Sequence, residues 1–270
     1  MSRRLVVTAD DVGRSRADSE VVLDLFAEGA VSAVTIMPVT PFAEAAADAV
    51  AGRPGVRVHV TLTSDDDVPP WRPLTAAPSL VTADGFLHTD PVAASRGSTA
   101  DVLAEVAAQL GWVRDRVGAV AAVDAHTSVL YGLHGATWLE ATLAFCGEEG
   151  LGFRLPRDGA PYLLPHEAAP FAGAHARAVV AADRHGVPIP AAVLTNRTSA
   201  AEHGSYARLL DSYLDTLAKL PEGTSELFCH PGVPGDDDAA TLRGWEARML
   251  RDPRFTDRLA EEGIAVVDHW

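Results

Sequence analysis

Short β-branched runs and longer amphipathic stretches alternate from one end of this chain to the other, which admits few folds. Strands read at 5–12, 31–37, 56–62, 120–124, 152–155, 189–195, 225–229 and 264–267. Helical spacing reads at 16–28, 41–51, 99–116, 136–149, 172–185, 203–219 and 238–250, with a shorter helix before the last strand. Such alternation argues for a parallel sheet with crossover helices. The count predicts an α/β fold, a single (β/α) barrel, TIM-like and irregular or incomplete. At 270 residues and 47% hydrophobic content the chain can fill one large core, and barrels of this kind use about 250 residues. One domain over 1–270 is expected, with no repeat and no linker. The long connection from about 63 to 98, with Asp65-Asp66-Asp67, Pro69-Pro70, Trp71 and Gly85, is an insertion. Connections this long are usually functional, and this one is a candidate lid or homodimer contact. Thr99 is a candidate cap for the helix that follows.

In a parallel barrel the C-terminal strand ends meet at one face. Four ends here carry groups that bind metals or move protons: Asp10 and Asp11, then His59, then Asp124 and His126, then His230. Adjacent residues on a regular strand point to opposite faces. Asp10 and Asp11 can therefore approach one centre only where the chain turns. A mixed aspartate and histidine set with open positions suits a divalent cation that activates water. Zn²⁺ fits best by ligand type, with Mg²⁺ and Mn²⁺ as alternatives. His134, His166, His175, His185, His203 and His269 are given no role.

Composition narrows the partners. The 22 basic and 37 acidic residues leave a formal charge of -15, a poor match for nucleic acid or anionic membrane. No apolar stretch approaches the roughly 18 residues of a spanning helix, and no leader reads at the start. Cys146 and Cys229 lack metal spacing and fit free thiols in a reducing compartment. A cytoplasmic protein is expected.

The ordered motifs resemble the YdjC-like carbohydrate deacetylases, a group that includes chitooligosaccharide and hopanoid-biosynthesis deacetylases. The family's opening Ala-Asp-Asp-Phe-Gly stands here as Ala9-Asp10-Asp11-Val12-Gly13. Its next strand resembles Val31 to Met37, and its Gly-Leu-His-Leu-x-Leu-Thr appears as Arg57 to Thr63. The Ser79 to Gly85, Asp124-Ala125-His126, Arg154-Leu155-Pro156 and Cys229-His230-Pro231-Gly232 segments follow in order. The resemblance implies a metal-dependent hydrolase that removes acetyl from an N-acetylated sugar or sugar conjugate. The alternative is a sugar-binding barrel that keeps the metal site but reacts differently or not at all. The resemblance further implies one divalent ion, Zn or Mg, held by Asp11, His59 and His126. Asp10 would be the general base, although the two aspartates could exchange roles. His230 would be the general acid. Arg154, Asp124 and Trp71 would face the substrate. The sequence also departs from the family. Thr127-Ser128-Val129-Leu130 stands where further histidines are usual, Thr8 and Val12 replace a common asparagine and phenylalanine, and Thr195-Asn196-Arg197 lacks an expected Asp-His-Phe-like segment.

Overall fold

The computed structural model describes residues 2–135, 137–162 and 165–270, the side chains of 165–169 excepted. The His166 side chain and residue 136 of the expected fourth helix therefore lie outside what is described. The chain runs β1 (Arg3–Val12), α1 (Arg16–Glu28), β2 (Ala33–Ile36), α2 (Ala43–Ala49), β3 (Val56–Val60) and α3 (Pro91–Ala94). It continues α4 (Thr99–Val117), β4 (Ala122–Ala125), α5 (Leu139–Glu148), β5 (Gly152–Phe153), α6 (Pro165–His185) and β6 (Val193–Leu194). It ends α7 (Ala200–His203), α8 (Tyr206–Ala218), β7 (Gly223–Cys229), α9 (Asp238–Met249), α10 (Pro253–Glu261) and β8 (Ala265–Val266).

The strands lie in the order β5-β4-β3-β2-β1-β7-β6, and their ladders are parallel. The two edges meet through backbone hydrogen bonds outside a regular ladder, with Arg157 N–H on Pro190 O at 2.9 Å and Asp158 N–H on Ala191 O at 3.0 Å. β8 pairs Arg4 and Leu5 of β1 below the point where β2 takes over at Thr8. The result is the expected irregular (β/α) barrel. Among the described residues, no helix is long and apolar enough to cross a membrane.

Strand periodicity divides the residues between two environments. Leu5, Val7, Ala9, Val58, Val60 and Val123 join the apolar layer shared with the helices. Residues of the other parity meet across the barrel: Arg57 on β3 reaches Glu226 on β7 at 2.8 Å, although β2 and β1 lie between. The barrel interior is therefore ionic, unlike the branched aliphatic filling usual in such barrels.

Several local expectations shift. Ser98, not Thr99, caps α4 by accepting from Asp101 N–H. The helix expected over 203–219 is two, because Gly204 takes the left-handed conformation at φ 70° and Ser205 caps a new start. The fifth crossover helix begins earlier, at Pro165, where a proline's missing N–H costs nothing. The 63–98 connection is no loose excursion: Trp71, Leu80, Leu87 and Ala94 are buried in the main core. Glu105 of α4 accepts from the backbone of Leu74 and Thr75 at 2.9 Å each. Both cysteines are free and buried.

Candidate functional site

β1 does not stop at Ala9. It continues to Val12, and its register against β2 shifts between Ala9 and Val12. Such an irregularity re-aims the side chains it carries. Within it, Asp11 sits at φ 69°, a left-handed conformation that aspartate tolerates better than most residues. This is how two neighbouring carboxylates come to serve one site. Gly13 supports the turn. At φ 105°, a Cβ there would meet Thr40 Oγ1 at 2.6 Å and Ala43 Cα at 3.0 Å.

Three groups converge beside this turn. His59 Nε2 lies 3.4 Å from Asp11 Oδ1, and His126 Nδ1 lies 3.1 Å from the same oxygen. Asp11 Oδ2 accepts from Arg243 of α9 at 3.0 Å. The remaining nitrogen of each ring is also engaged. His59 Nδ1 is 2.5 Å from Asp124 Oδ1, and His126 Nε2 is 2.8 Å from Asp65 Oδ1. β3 and β4 bring His59 and Asp124 into register as direct neighbours.

Asp10 faces a different partner. Arg154 grips it with two hydrogen bonds, at 2.7 Å to Oδ2 and 2.9 Å to Oδ1, and Thr35 donates to Oδ1 at 2.9 Å. Arg154 also pairs with Asp124 at 2.7 Å and Glu226 at 2.9 Å. Glu226 in turn accepts from Thr8 at 2.6 Å as well as from Arg57. One buried ionic network thus runs from β3 to β5 and β7 beneath the site.

These contacts set the charges. Burial pushes the Asp11 carboxyl up, but hydrogen bonds from His126 and His59 outweigh it and hold it well below the usual range. Burial acts likewise on Asp10, and the charges of Arg154 and His59 keep it low. For Asp65 the His126 and Arg14 contacts overcome burial in the same direction. Burial pushes the His59 imidazole down, yet the charges of Asp124 and Asp10 and two hydrogen bonds raise it to about 10. His126 is raised despite burial by its bonds to Asp11 and Asp65.

Two groupings of side chains could hold a cation: Asp11 with His59 and His126, and Asp10 with His59 and Asp124. The second does not fit, because the Arg154 guanidinium already occupies both of its carboxylates. The first fits. One carboxylate and two imidazoles form a common divalent-metal donor set, and each imidazole has behind it a carboxylate, one of the acceptors to which metal-ligating histidines donate their other N–H. A dication seated there would also bring the charge that two imidazolium protons otherwise supply.

A cleft of about 720 Å³ opens over the site, lined by Asp10, His59, His126, Arg154 and His230 among others. Half-buried His230 ends β7, and its backbone N–H donates to Glu246 Oε2 at 2.7 Å. Tyr131 and Phe228 add aromatic surface to the cleft, and Tyr131 Oη donates to Arg154 O at 3.0 Å.

Two residues expected to face the substrate are buried behind the histidines instead. Asp124 is fully buried against His59 and Arg154, away from the cleft surface. Trp71 is 4% exposed and packs edge-on to His126 at 6.0 Å, with no open face for stacking. Asp65, Arg243, Glu226, Arg57 and Thr35 were not singled out by sequence. The usable signal was Arg57 and Glu226, charges set inside strands that otherwise read as buried.

A family model described as YdjC-like protein matches residues 4–261. A carbohydrate deacetylase of Geobacillus stearothermophilus is 26% identical over 277 residues, covering 100% of this chain and 98% of that protein. Carbohydrate deacetylases of Mus musculus and Homo sapiens are 30% and 31% identical, each over 97% of this chain and over 92% and 88% of their own lengths. A solved Enterococcus faecalis structure, described as a candidate cellobiose-phosphate cleavage protein, matches with a TM-score of 0.74 at 20% identity, over 99% of this chain and 97% of that one. At that identity the likeness concerns the fold alone.

Proposed function

The chain belongs to the YdjC-like protein family, and from that premise we propose that it is a metal-dependent hydrolase removing acetyl from an N-acetylated sugar or sugar conjugate. Its similarity to three proteins named carbohydrate deacetylase supports a sugar-deacetylating enzyme. The observation that carries the metal-dependent reading is the convergence of Asp11 Oδ1, His59 Nε2 and His126 Nδ1.

Asp11, His59 and His126 would hold one divalent ion, Zn or Mg. When bound, the ion polarises the acetyl carbonyl and makes water easier to deprotonate. Asp10 is the candidate base. Arg154 and Thr35 lower its basicity, but they fix it in place and keep it ionised, and a carboxylate oxygen with one partner retains a free lone pair. The water oxygen bonds to the acetyl carbon while Asp10 accepts its proton. The C–N bond breaks as His230, across the cleft, gives a proton to the departing nitrogen. Acetate and a free amino sugar result. The cleft volume falls within the range of about 300–1,000 Å³ typical of small-molecule sites.

The test is acetate release from N-acetylglucosamine oligomers by the full chain with added Zn²⁺ or Mg²⁺. Release that chelator abolishes and metal restores supports the proposal. Tight sugar binding without release under any metal points instead to a binding barrel.

A further inference from the structure

His126 is approached from two sides. Asp11 Oδ1 faces its Nδ1 at 3.1 Å, and Asp65 Oδ1 faces its Nε2 at 2.8 Å. Asp65 lies in the connection after β3. It is itself held. Arg14 Nε donates to Asp65 Oδ2 at 2.6 Å, and Arg14 grips Asp67 at 2.6 and 2.7 Å. Arg14 comes from the turn that aims Asp11, and its backbone N–H donates to Asp11 O at 3.1 Å. One side chain thus ties the turn carrying Asp11 to the carboxylate behind His126.

The chemistry of the contact is directional. A carboxylate paired with a guanidinium can only accept. Nε2 of His126 therefore keeps its hydrogen toward Asp65, and Nδ1, facing Asp11, is the nitrogen left to offer its lone pair once a cation takes the place of its proton. The Asp124–His59 pair obeys the same rule with the nitrogens exchanged. There Nδ1 meets the carboxylate, and Nε2 faces Asp11.

We infer that Asp65, anchored by Arg14, is a positioning residue for the cation site: it fixes the tautomer and tilt of His126 so that Nδ1 is offered to a divalent ion seated at Asp11. The inference rests on the metal-dependent part of the proposed function. It makes the connection after β3 part of the site's support. Trp71, on the same connection, packs edge-on to the His126 ring.

The test uses the full chain, freed of metal by chelator and titrated calorimetrically with Zn²⁺ and with Mg²⁺. Removing a carboxylate behind a metal-ligating histidine typically weakens binding roughly 10–100-fold. Asp65→Ala is expected to show that loss. Asp65→Asn keeps the shape of the loop and an accepting oxygen, so it should fall between Asp65→Ala and wild type, and it carries the test if the alanine variant does not fold. Asp67→Asn touches only Arg14 and should bind as wild type does. Nitrogen-15 spectra of histidine-labelled protein loaded with Zn²⁺ supply a readout that loop damage alone would not mimic. Wild type should show His126 with hydrogen on Nε2, and the alanine variant a mixture of ring forms. Wild-type affinity in Asp65→Ala with an unchanged His126 signal overturns the inference. Normal metal binding that depends on Asp65, without acetate release, removes the deacetylase reading and leaves this one standing. A wild-type chain that binds neither ion removes both.

Discussion

His59 Nδ1 lies 2.5 Å from Asp124 Oδ1, and that contact decides which nitrogen of the ring faces Asp11. Asp124 is fully buried and shares its second oxygen with Arg154. The ring has no freedom to present its other edge.

Replacing Asp124 with asparagine removes the charge while keeping the shape. An amide can either accept from Nδ1 or donate to it, so the ring is no longer held in one form. Zn²⁺ affinity of Asp124→Asn should fall roughly 10–100-fold, read by competition with a chelator of known affinity.

The two aspartates of the opening motif should separate by phenotype. Asp10 is bound to Arg154 and Thr35, whereas Asp11 meets both imidazoles. Asp10→Asn should retain metal and lose turnover. Asp11→Asn should lose most of its metal with the fold intact by circular dichroism. The opposite pattern would mean that the two roles are exchanged.

Without metal, the carboxylates around His59 raise its pKa from 6.5 to about 10 in the folded chain. A raised pKa contributes stability that is fully present below about pH 6.5 and lost as pH rises through about 10. The melting temperature of the chelated protein should therefore fall across that window. Metal affinity should move the other way and increase with pH, because a coordinating imidazole must first lose its proton. Matched scans with and without Zn²⁺ check both signs.

Glu226 takes charge from Arg57 and Arg154 and a hydroxyl from Thr8, entirely out of water. Neutralising it leaves two buried guanidiniums short of a partner. Glu226→Gln should lose about 3–5 kcal/mol of stability, the range seen when one partner of a buried ion pair is removed, measured by urea unfolding.

Much of this was legible in the sequence, and the limits have physical causes. Alternating strands and helices gave the barrel, since apolar periodicity is a direct imprint of burial. The residues that meet at Asp11 stood out because they sit at strand ends of a parallel sheet. Asp65 did not: within Asp65-Asp66-Asp67 nothing local distinguishes the member that turns inward, and only the position of Arg14 decides it. The burial of Trp71 and Asp124, both expected to face the substrate, was hidden because sequence gives residue type but not exposure. Both support histidines from behind. The break at Gly204-Ser205 was written in the residues themselves, a left-handed helix stop followed by a cap, but the apolar spacing on either side hid it.

The most direct test of the shared cation is anomalous scattering at the zinc edge from crystals of the full chain soaked in Zn²⁺. The account predicts one dominant peak, in contact with Asp11, His59 and His126 together. A peak between Asp10, His59 and Asp124, or none within reach of Asp11, would contradict it.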